Sequence, residues 1–314
     1  MVNYTFRQLK YFVATVECGS VSEASRRLFI AQPSISSAIK SLEDNFGIQF
    51  FIRQHAQGIT LTPAGIRFHH KAQELLRVLR EFEQNALADN DIVSGQIDIG
   101  CFETLGPIYL PRLIAEFKQR YPGVTLNIRD GDQSDMLSSI RCGQLDLAIV
   151  YNQEIEHSEF GSSLLLNDLH PYIMLSANHP LAKRDSVSLK EISKEPMILL
   201  DLLPSKNYFL DVFRLYDLAP RIAFRSPSLE MVRGLVGQGL GFSIMVSQPE
   251  TSVTYDGNRI VSLKIEEPVD SISLSAVWLK SNQLTRPARL FVDFCHQMLN
   301  KDCIDNSDKI LSIE

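Results

Sequence analysis

Residues 24–43 read ASRRLFIAQPSISSAIKSLE, and the periodicity in and around this stretch decides what the amino-terminal part of the chain becomes. Pro33 falls where a first helical turn tolerates a missing N–H. Ile35, Ile39, Leu42 and Phe46 then recur at i, i+4, i+7 and i+11, and Gly47 stops the run. The helix buries that stripe and exposes Pro33, Ser36, Ser37 and Lys40. Upstream, Ser20-Val21-Ser22-Glu23 is a capping box that opens a helix of about two turns ending at Leu28, and Phe29-Ile30-Ala31 is a tight link. Leu9, Phe12, Val13 and Val16 place a further amphipathic helix over residues 6–17. Two short helices joined by so short a link, followed by a longer helix with small uncharged polar groups outward, describe a helix-turn-helix whose second helix reads a DNA groove.

Downstream, Gln49 to Leu61 alternates on both sides of a polar tip (residues 54–58), as a two-stranded wing would, and sets Arg53 and His55 beside a sugar-phosphate backbone. Thr62-Pro63 caps a helix that runs to about residue 88, roughly 40 Å at 1.5 Å per residue. Phe68, Ala72, Leu75, Leu79, Phe82 and Ala86 alternate by four and three, the spacing of a heptad seam. That stripe either meets a second copy, holding two groove readers at fixed separation, or packs on its own domain. Spacing leaves both open.

At 314 residues the chain is about twice the usual single-domain size, and 45% apolar with 22% charged residues is ordinary globular composition. Its net charge of −6 argues against a polyanion partner only if the chain is one body. Residues 1–71 hold eight Lys/Arg against four acids, a balance of +4, which leaves −10 for the remainder. A small basic head on a larger acidic body implies that the head meets the polyanion. Nothing approaches the roughly 18 apolar residues of a membrane span, and MVNYTFRQLK lacks the apolar core of a secretory signal, so a cytoplasmic protein without membrane contact is expected. Five scattered cysteines, without C-x-x-C or a His/Cys cluster at zinc spacing, predict free thiols, no metal and no cofactor.

Past Ala88-Asp89-Asn90-Asp91 strands alternate with helices. Strands are expected from residue 97, at 124–128, 145–150, 172–176, 197–200, 221–225, 242–246 and 272–279, with helices at 107–120, 134–141, 205–217, 228–236 and 286 to about 300. This reads as two α/β lobes with parallel sheets covered on both faces, binding a ligand beyond the carboxyl ends of the strands. Gly237-Gln238-Gly239-Leu240-Gly241 is not a dinucleotide fingerprint, because a helix precedes and a strand follows it; it reads as a helix-ending turn that lets backbone approach the cleft. His69-His70 are neighbours facing different ways, read as solvent or interface side chains. An enzymatic body would have Cys101 and Glu103 at a strand end with His157 as base; a solute-binding protein would also have two α/β lobes around a cleft, but the basic head separates the two.

The arrangement resembles the LysR-type transcriptional regulators through about residue 300. The resemblance rests on residues 24–43, on Gly47-Ile48-Gln49-Phe50-Phe51-Ile52-Arg53 and on Leu61-Thr62-Pro63-Ala64-Gly65. In the body it rests on Leu110-Pro111, Phe117, Tyr121-Pro122, Gly143-x-Leu145-Asp146, His179-Pro180-Leu181-Ala182 and the Gly237–Gly241 run. Three positions depart from the family pattern. Ala31 replaces a capping Ser, Phe50-Phe51 replaces Leu-Phe, and Met245-Val246 replaces Leu-Pro.

The resemblance implies a winged helix-turn-helix over residues 1–61, a dimerising linker helix over 62–90, and an effector-binding domain over 91–303. That domain would comprise lobe I at about 95–166 and 269–303 and lobe II at about 167–268, of periplasmic-binding-protein-like architecture, with a tail at 304–314. Gln32, Pro33, Ser34, Ser36 and Ser37 would face base edges in the major groove, and Lys40 and Arg53 would touch phosphate. The effector would lie among Glu103, Thr104, Asp132, Gln133, Ser134 and Asp201, with Arg225, Ser226 and Ser228 facing them. Three acids at one mouth favour an ammonium group, so an amine-bearing effector is expected, either an amino acid whose carboxylate meets Arg225 or a helix end, or a polyamine. Paired heads on an interrupted dyad of double-stranded DNA, a dimer building a tetramer, and contact with RNA polymerase complete the implied mechanism.

Overall fold

The computed structural model describes residues 3–54, 58–87 and 93–310, with the side chains of residues 53, 54, 58, 77, 80, 81, 84–87 and 301–310 outside that description. The chain divides into two compact units, one of Met1–Gly95 with Arg141–Gln144 and one of Gln96–Ile140 with Leu145–Glu314.

In the first unit, α1 (Phe6–Cys18), α2 (Val21–Leu28) and α3 (Gln32–Phe46) precede a hairpin of β1 (Phe51–Gln54) and β2 (Gly58–Leu61), and α4 (Pro63–Leu87) follows. The capping chemistry differs from the sequence reading. Ser20 accepts the Glu23 N–H, but the Glu23 carboxylate pairs with Arg26; the complete reciprocal box belongs to Thr5 and Gln8 at the start of α1. Ala31 leaves α3 without a side-chain cap. Phe29 is held left-handed (φ 54°) in the link and lies almost wholly in solvent.

Ile35, Ile39 and Leu42 are buried as expected, in one core with Leu9, Phe12, Ala24, Phe50 and Phe51. Phe50 and Phe68 stack at 4.1 Å, and Phe12 meets Phe50, Phe51 and Phe68 at 5.1–5.4 Å. Both residues of the Phe50-Phe51 departure therefore serve this cluster, where each ring pair adds about 0.5–1.5 kcal/mol beyond its buried area. Thr62 caps α4 by accepting the Gly65 N–H at 2.9 Å. Gly65 is required by close approach, since a Cβ there would lie 2.1 Å from the Phe50 carbonyl oxygen.

The core also corrects the heptad seam. Ala72 is 3% exposed inside it, and Phe68, Leu75 and Leu79 pack half-buried against it. A helix crossing its own domain must give that domain one face for its first turns. Among the described side chains of α4, the large apolar ones that remain exposed are Ile66, Val78 and Phe82; Ala86 lies outside the described side chains. His69, expected at a surface, is buried and faces the Phe12 ring at 6.2 Å.

The second unit begins with β3 (Gly95–Phe102), α5 (Gly106–Arg120), β4 (Val124–Gly131), α6 (Gln133–Arg141), β5 (Leu147–Tyr151) and β6 (Phe160–Leu169). It continues with β7 (Tyr172–Ser176), a 3-10 turn at Pro180–Lys183, β8 (Ser186–Val187), α7 (Leu189–Ile192), β9 (Met197–Leu200), α8 (Ser205–Arg214), β10 (Ile222–Ser226), α9 (Leu229–Gly237), β11 (Ser243–Met245) and β12 (Ile260–Ile265). It ends with β13 (Ile272–Leu279) and α10 (Arg286–Ile310), so helix continues through most of the segment read as a tail. One sheet has the order β4-β3-β5-β13-β6; a second has β11-β7-β12-β8; β9 pairs with β10 and bridges to Phe242 beside β11.

The two larger sheets are mixed and not parallel, while β9 and β10 form a parallel pair. β3 runs parallel to β5, but β13 is antiparallel to both β5 and β6, and β7 is antiparallel to β11 and β12. The chain crosses from one lobe to the other between β6 and β7 and returns between β12 and β13. β13 therefore re-enters the first sheet against the direction of β5. On the return crossing, Tyr216 and Tyr208 hydroxyls donate to the Pro268 and Asp270 carbonyls, both at 2.6 Å.

The glycine run ends a helix as expected, but the backbone it approaches is not at the cleft. Gly239 (φ 75°) ends α9, and a Cβ at Gly241 (φ 155°) would lie 2.2 Å from the Pro196 carbonyl oxygen, so the run serves the packing of lobe II. Among the described residues no helix is long and apolar enough to cross a membrane. Cys18, Cys101, Cys142 and Cys295 are free thiols, and no group of described side chains is placed to hold a metal ion.

Candidate nucleic-acid interface and ligand cleft

The outer face of α3 follows from its inner one. With Ile35 and Ile39 fixed in the core, Gln32, Pro33, Ser34, Ser37 and Lys40 are exposed and Ser36 is half-buried at the edge of the face. The helix is anchored through its carboxyl-terminal part. Gln8 Nε2 donates to Ser41 Oγ at 3.1 Å, and Glu43 Oε1 accepts the Phe50 and Phe51 N–H groups at 2.7 and 3.2 Å, so α1 and the hairpin fix how the face is presented. Among nearby bases, Arg26 pairs with Glu23, and Arg27 pairs with Glu17 and approaches the Cys18 thiol at 3.9 Å. Lys40 extends from the polar face itself. The Arg53 side chain and all of His55 lie outside the described residues.

In the second unit a cavity of about 660 Å³ opens between the lobes. Glu103, Thr104 and Ser228 line it, as do Asp130, Glu230 and Tyr255. Thr104 is buried at the exit of β3 and hydrogen-bonds the Tyr151 hydroxyl, which meets Ser247 Oγ across the lobes at 2.9 Å. Burial, and then the neighbouring Asp130 and Asp132 charges, raise the Glu103 carboxyl above its ordinary range.

The other expected residues have structural engagements. Asp132 caps α6, its Oδ1 accepting from the Asp135 N–H and the Ser134 hydroxyl at 2.8 Å each, and the Asp135 bond leads in holding its carboxyl below the usual range. Gln133 is buried and donates to the Gln153 carbonyl, while its own Oε1 meets no donor. Asp201 is held low chiefly by Lys206, whose Nζ is 2.7 Å away, with Arg225 at 3.7 Å on the other oxygen. Ser226 accepts the Ser228 N–H, and Ser228 caps α9. Sequence reasoning missed Asp130, Glu230, Glu250, Thr251 and Tyr255. The rule that ligands sit beyond strand ends pointed to the segment after β11, but its 249–255 loop carries no periodic signal.

The enzymatic alternative has no geometry to stand on. Cys101 is fully buried, its thiol pushed far up by burial, and His157 is exposed on a turn.

The sequence profile of the bacterial regulatory helix-turn-helix protein, lysR family, matches residues 6–66, and that of the LysR substrate binding domain matches residues 90–300. The chain belongs to the LysR family of transcriptional regulators. It is similar to HinK, a LysR family transcriptional regulator from Pseudomonas aeruginosa of known crystal structure, at 54% identity over 95% of this chain and 99% of that one, with a TM-score of 0.65. It is also similar to two regulators of Bacillus subtilis (strain 168). YvbU is 27% identical over 95% of this chain and all of that protein, and the transcriptional dual regulator GltC is 27% identical over 94% and 97%. As a LysR-type regulator the chain combines a DNA-binding head with a substrate-binding domain, and its relatives are transcriptional regulators and not enzymes.

Proposed function

We propose that α3 reads an interrupted dyad in the major groove and that the inter-lobe cavity takes an amine-bearing effector. The observation that carries the first half is the division of α3 into a buried stripe at Ile35, Ile39 and Leu42 and an exposed uncharged polar face at Gln32, Ser34 and Ser37. The Gln32 amide suits adenine, the serine hydroxyls serve as donor or acceptor, and Pro33 suits a thymine methyl; Ser36 borders them. Lys40 and Arg53 supply phosphate contacts. The linker helix joins two copies through its exposed apolar side chains, with Phe82 foremost, and a pair of dimers forms a tetramer. Effector contacts that differ between two lobe arrangements then shift subunit geometry, and with it DNA bending and polymerase contact.

Support for the second half is the acidity of the cavity wall. Of the expected acids, Asp201 is already neutralised by Lys206 and Arg225 and Asp132 is a helix cap, so the ligand role falls to Glu103, Thr104 and Ser228 with Asp130 added.

Fluorescence anisotropy of the full chain on the DNA upstream of its own gene tests the reader. Specific binding should fall steeply with salt, and Gln32→Ala should weaken it by about 10–100-fold while leaving binding to unrelated duplex within a few-fold. No specific retention, or equal specific affinity in Gln32→Ala and Ser37→Ala, overturns the assignment of this face.

A further inference from the structure

The cavity wall says more about its ligand than that an amine is welcome. None of its twelve lining residues is a lysine, arginine or histidine, whereas four are carboxylates: Glu103, Asp130, Glu230 and Glu250. Arg225 and Arg233 are near enough in sequence to be candidates for a ligand carboxylate, and both are engaged. Arg225 faces Asp201. Arg233 is 3% exposed, donates from Nη2 to the Thr251 and Val253 carbonyls at 2.9 and 3.1 Å, and holds Nε 3.0 Å from Glu230.

The remaining positive features are the amino termini of α5 and α9, marked on the wall by Pro107 and by Ser228 and Leu229. Each is worth roughly half an elementary charge, and Ser228 already accepts the Met231 N–H at α9. Even with Glu230 offset by Arg233, three full negative charges outweigh two halves. The cavity wall therefore carries surplus negative charge, which an ammonium or amidine-like cation relieves and a carboxylate aggravates.

We infer that the effector is a cationic amine carrying no carboxylate, so that the site rejects an α-amino acid in favour of the amine left when its carboxylate is removed. The inference rests on reading this cavity as the effector site. Thr104 and Ser228 supply hydroxyls, Glu103 and Asp130 the counter-charge, and Pro107, Ile108 and Leu229 an apolar bed for the body of the ligand.

Isothermal titration calorimetry of the full chain with matched pairs (lysine against cadaverine, arginine against agmatine, tyrosine against tyramine) and with succinate tests it. At least one amine should saturate the protein and bind about 30-fold or more tightly than its parent amino acid, because juxtaposed like charges cost several kcal/mol. Glu103→Gln and Asp130→Asn, each checked for an unchanged thermal melt, should weaken that amine by about 10-fold or more. An amino acid binding as tightly as its amine overturns the inference and leaves an amine-bearing effector standing. Succinate binding tightly, unchanged in both variants, overturns the amine reading itself. Absence of binding by all three amines, or amine binding indifferent to both variants, also overturns the inference.

Discussion

The two candidate sites are built in opposite ways. At the DNA site every proposed base contact comes from residues 32–37 of one helix, α3, and its outward face is fixed by what Ile35, Ile39 and Leu42 do inward. The cavity takes its wall from three separate stretches, Glu103 to Ile108 with Asp130, Ser228 to Glu230, and Pro249 to Tyr255, and its character depends on which charged groups are already engaged elsewhere. A site on one helix inherits its order from periodicity. A site between lobes is the remainder after internal bonding.

The contrast predicts that each site fails with its own unit. Gly65→Val drives a Cβ into the Phe50 carbonyl, and Gly241→Val does the same at the Pro196 carbonyl from a left-handed backbone. Each should destabilise its unit by more than about 3 kcal/mol, at the upper end for overpacking because the obstacle is backbone. Gly65→Val should abolish specific DNA retention in anisotropy while ligand calorimetry persists, and Gly241→Val should abolish ligand binding. A Gly65→Val protein that binds DNA like the parent would contradict the contact of the α4 start with the hairpin.

Acid should separate the regions next. His69 is buried against Phe12, and burial first, with His70 second, lowers its pKa to about 4 from an ordinary 6.5. The unfolded chain then binds a proton that the folded head refuses between those values. Head stability is thus full above about pH 6.5 and declines as pH falls towards 4, by on the order of 2–3 kcal/mol. Hydrogen exchange of α1 and α4 amides should show protection falling over this window in the parent and a shallower fall in His69→Leu. Identical slopes would remove His69 as the cause.

Much of the head was legible because its elements carry local signals. The Ile35/Ile39/Leu42 stripe, the Ser20 cap and the Thr62-Pro63 start all act within a few residues. What failed there was non-local. Spacing could not say that Phe68 and Ala72 are used by their own core, nor that His69 lies beneath Phe12. In the body, helix and strand positions were readable but strand direction was not, since β13 is antiparallel only because the chain has visited the second lobe. β6, β8 and β12 were missed; in β6 the FGSSLLLNDL sequence mixes serines, a leucine run and a left-handed Asp168 in place of alternation. The cleft was legible as a location, through Glu103, Thr104 and Ser228, but its balance was not. That Lys206 neutralises Asp201 is a tertiary fact that no motif carries.

The smallest effect sharpens the comparison within the reading face. Lys40 and Gln32 project from the same exposed side of α3, yet their chemistry assigns them different work. A lysine on phosphate releases about one condensed counterion and reads no base. Lys40→Ala should therefore lower the slope of log affinity against log salt by about 0.9 and weaken specific and unrelated duplexes alike, by a few-fold at moderate salt. Gln32→Ala should leave that slope unchanged and act on the specific duplex alone. If Lys40→Ala discriminates between duplexes while Gln32→Ala shifts the slope, the helix lies in the groove with its carboxyl-terminal half inward and the order of contacts along α3 reverses.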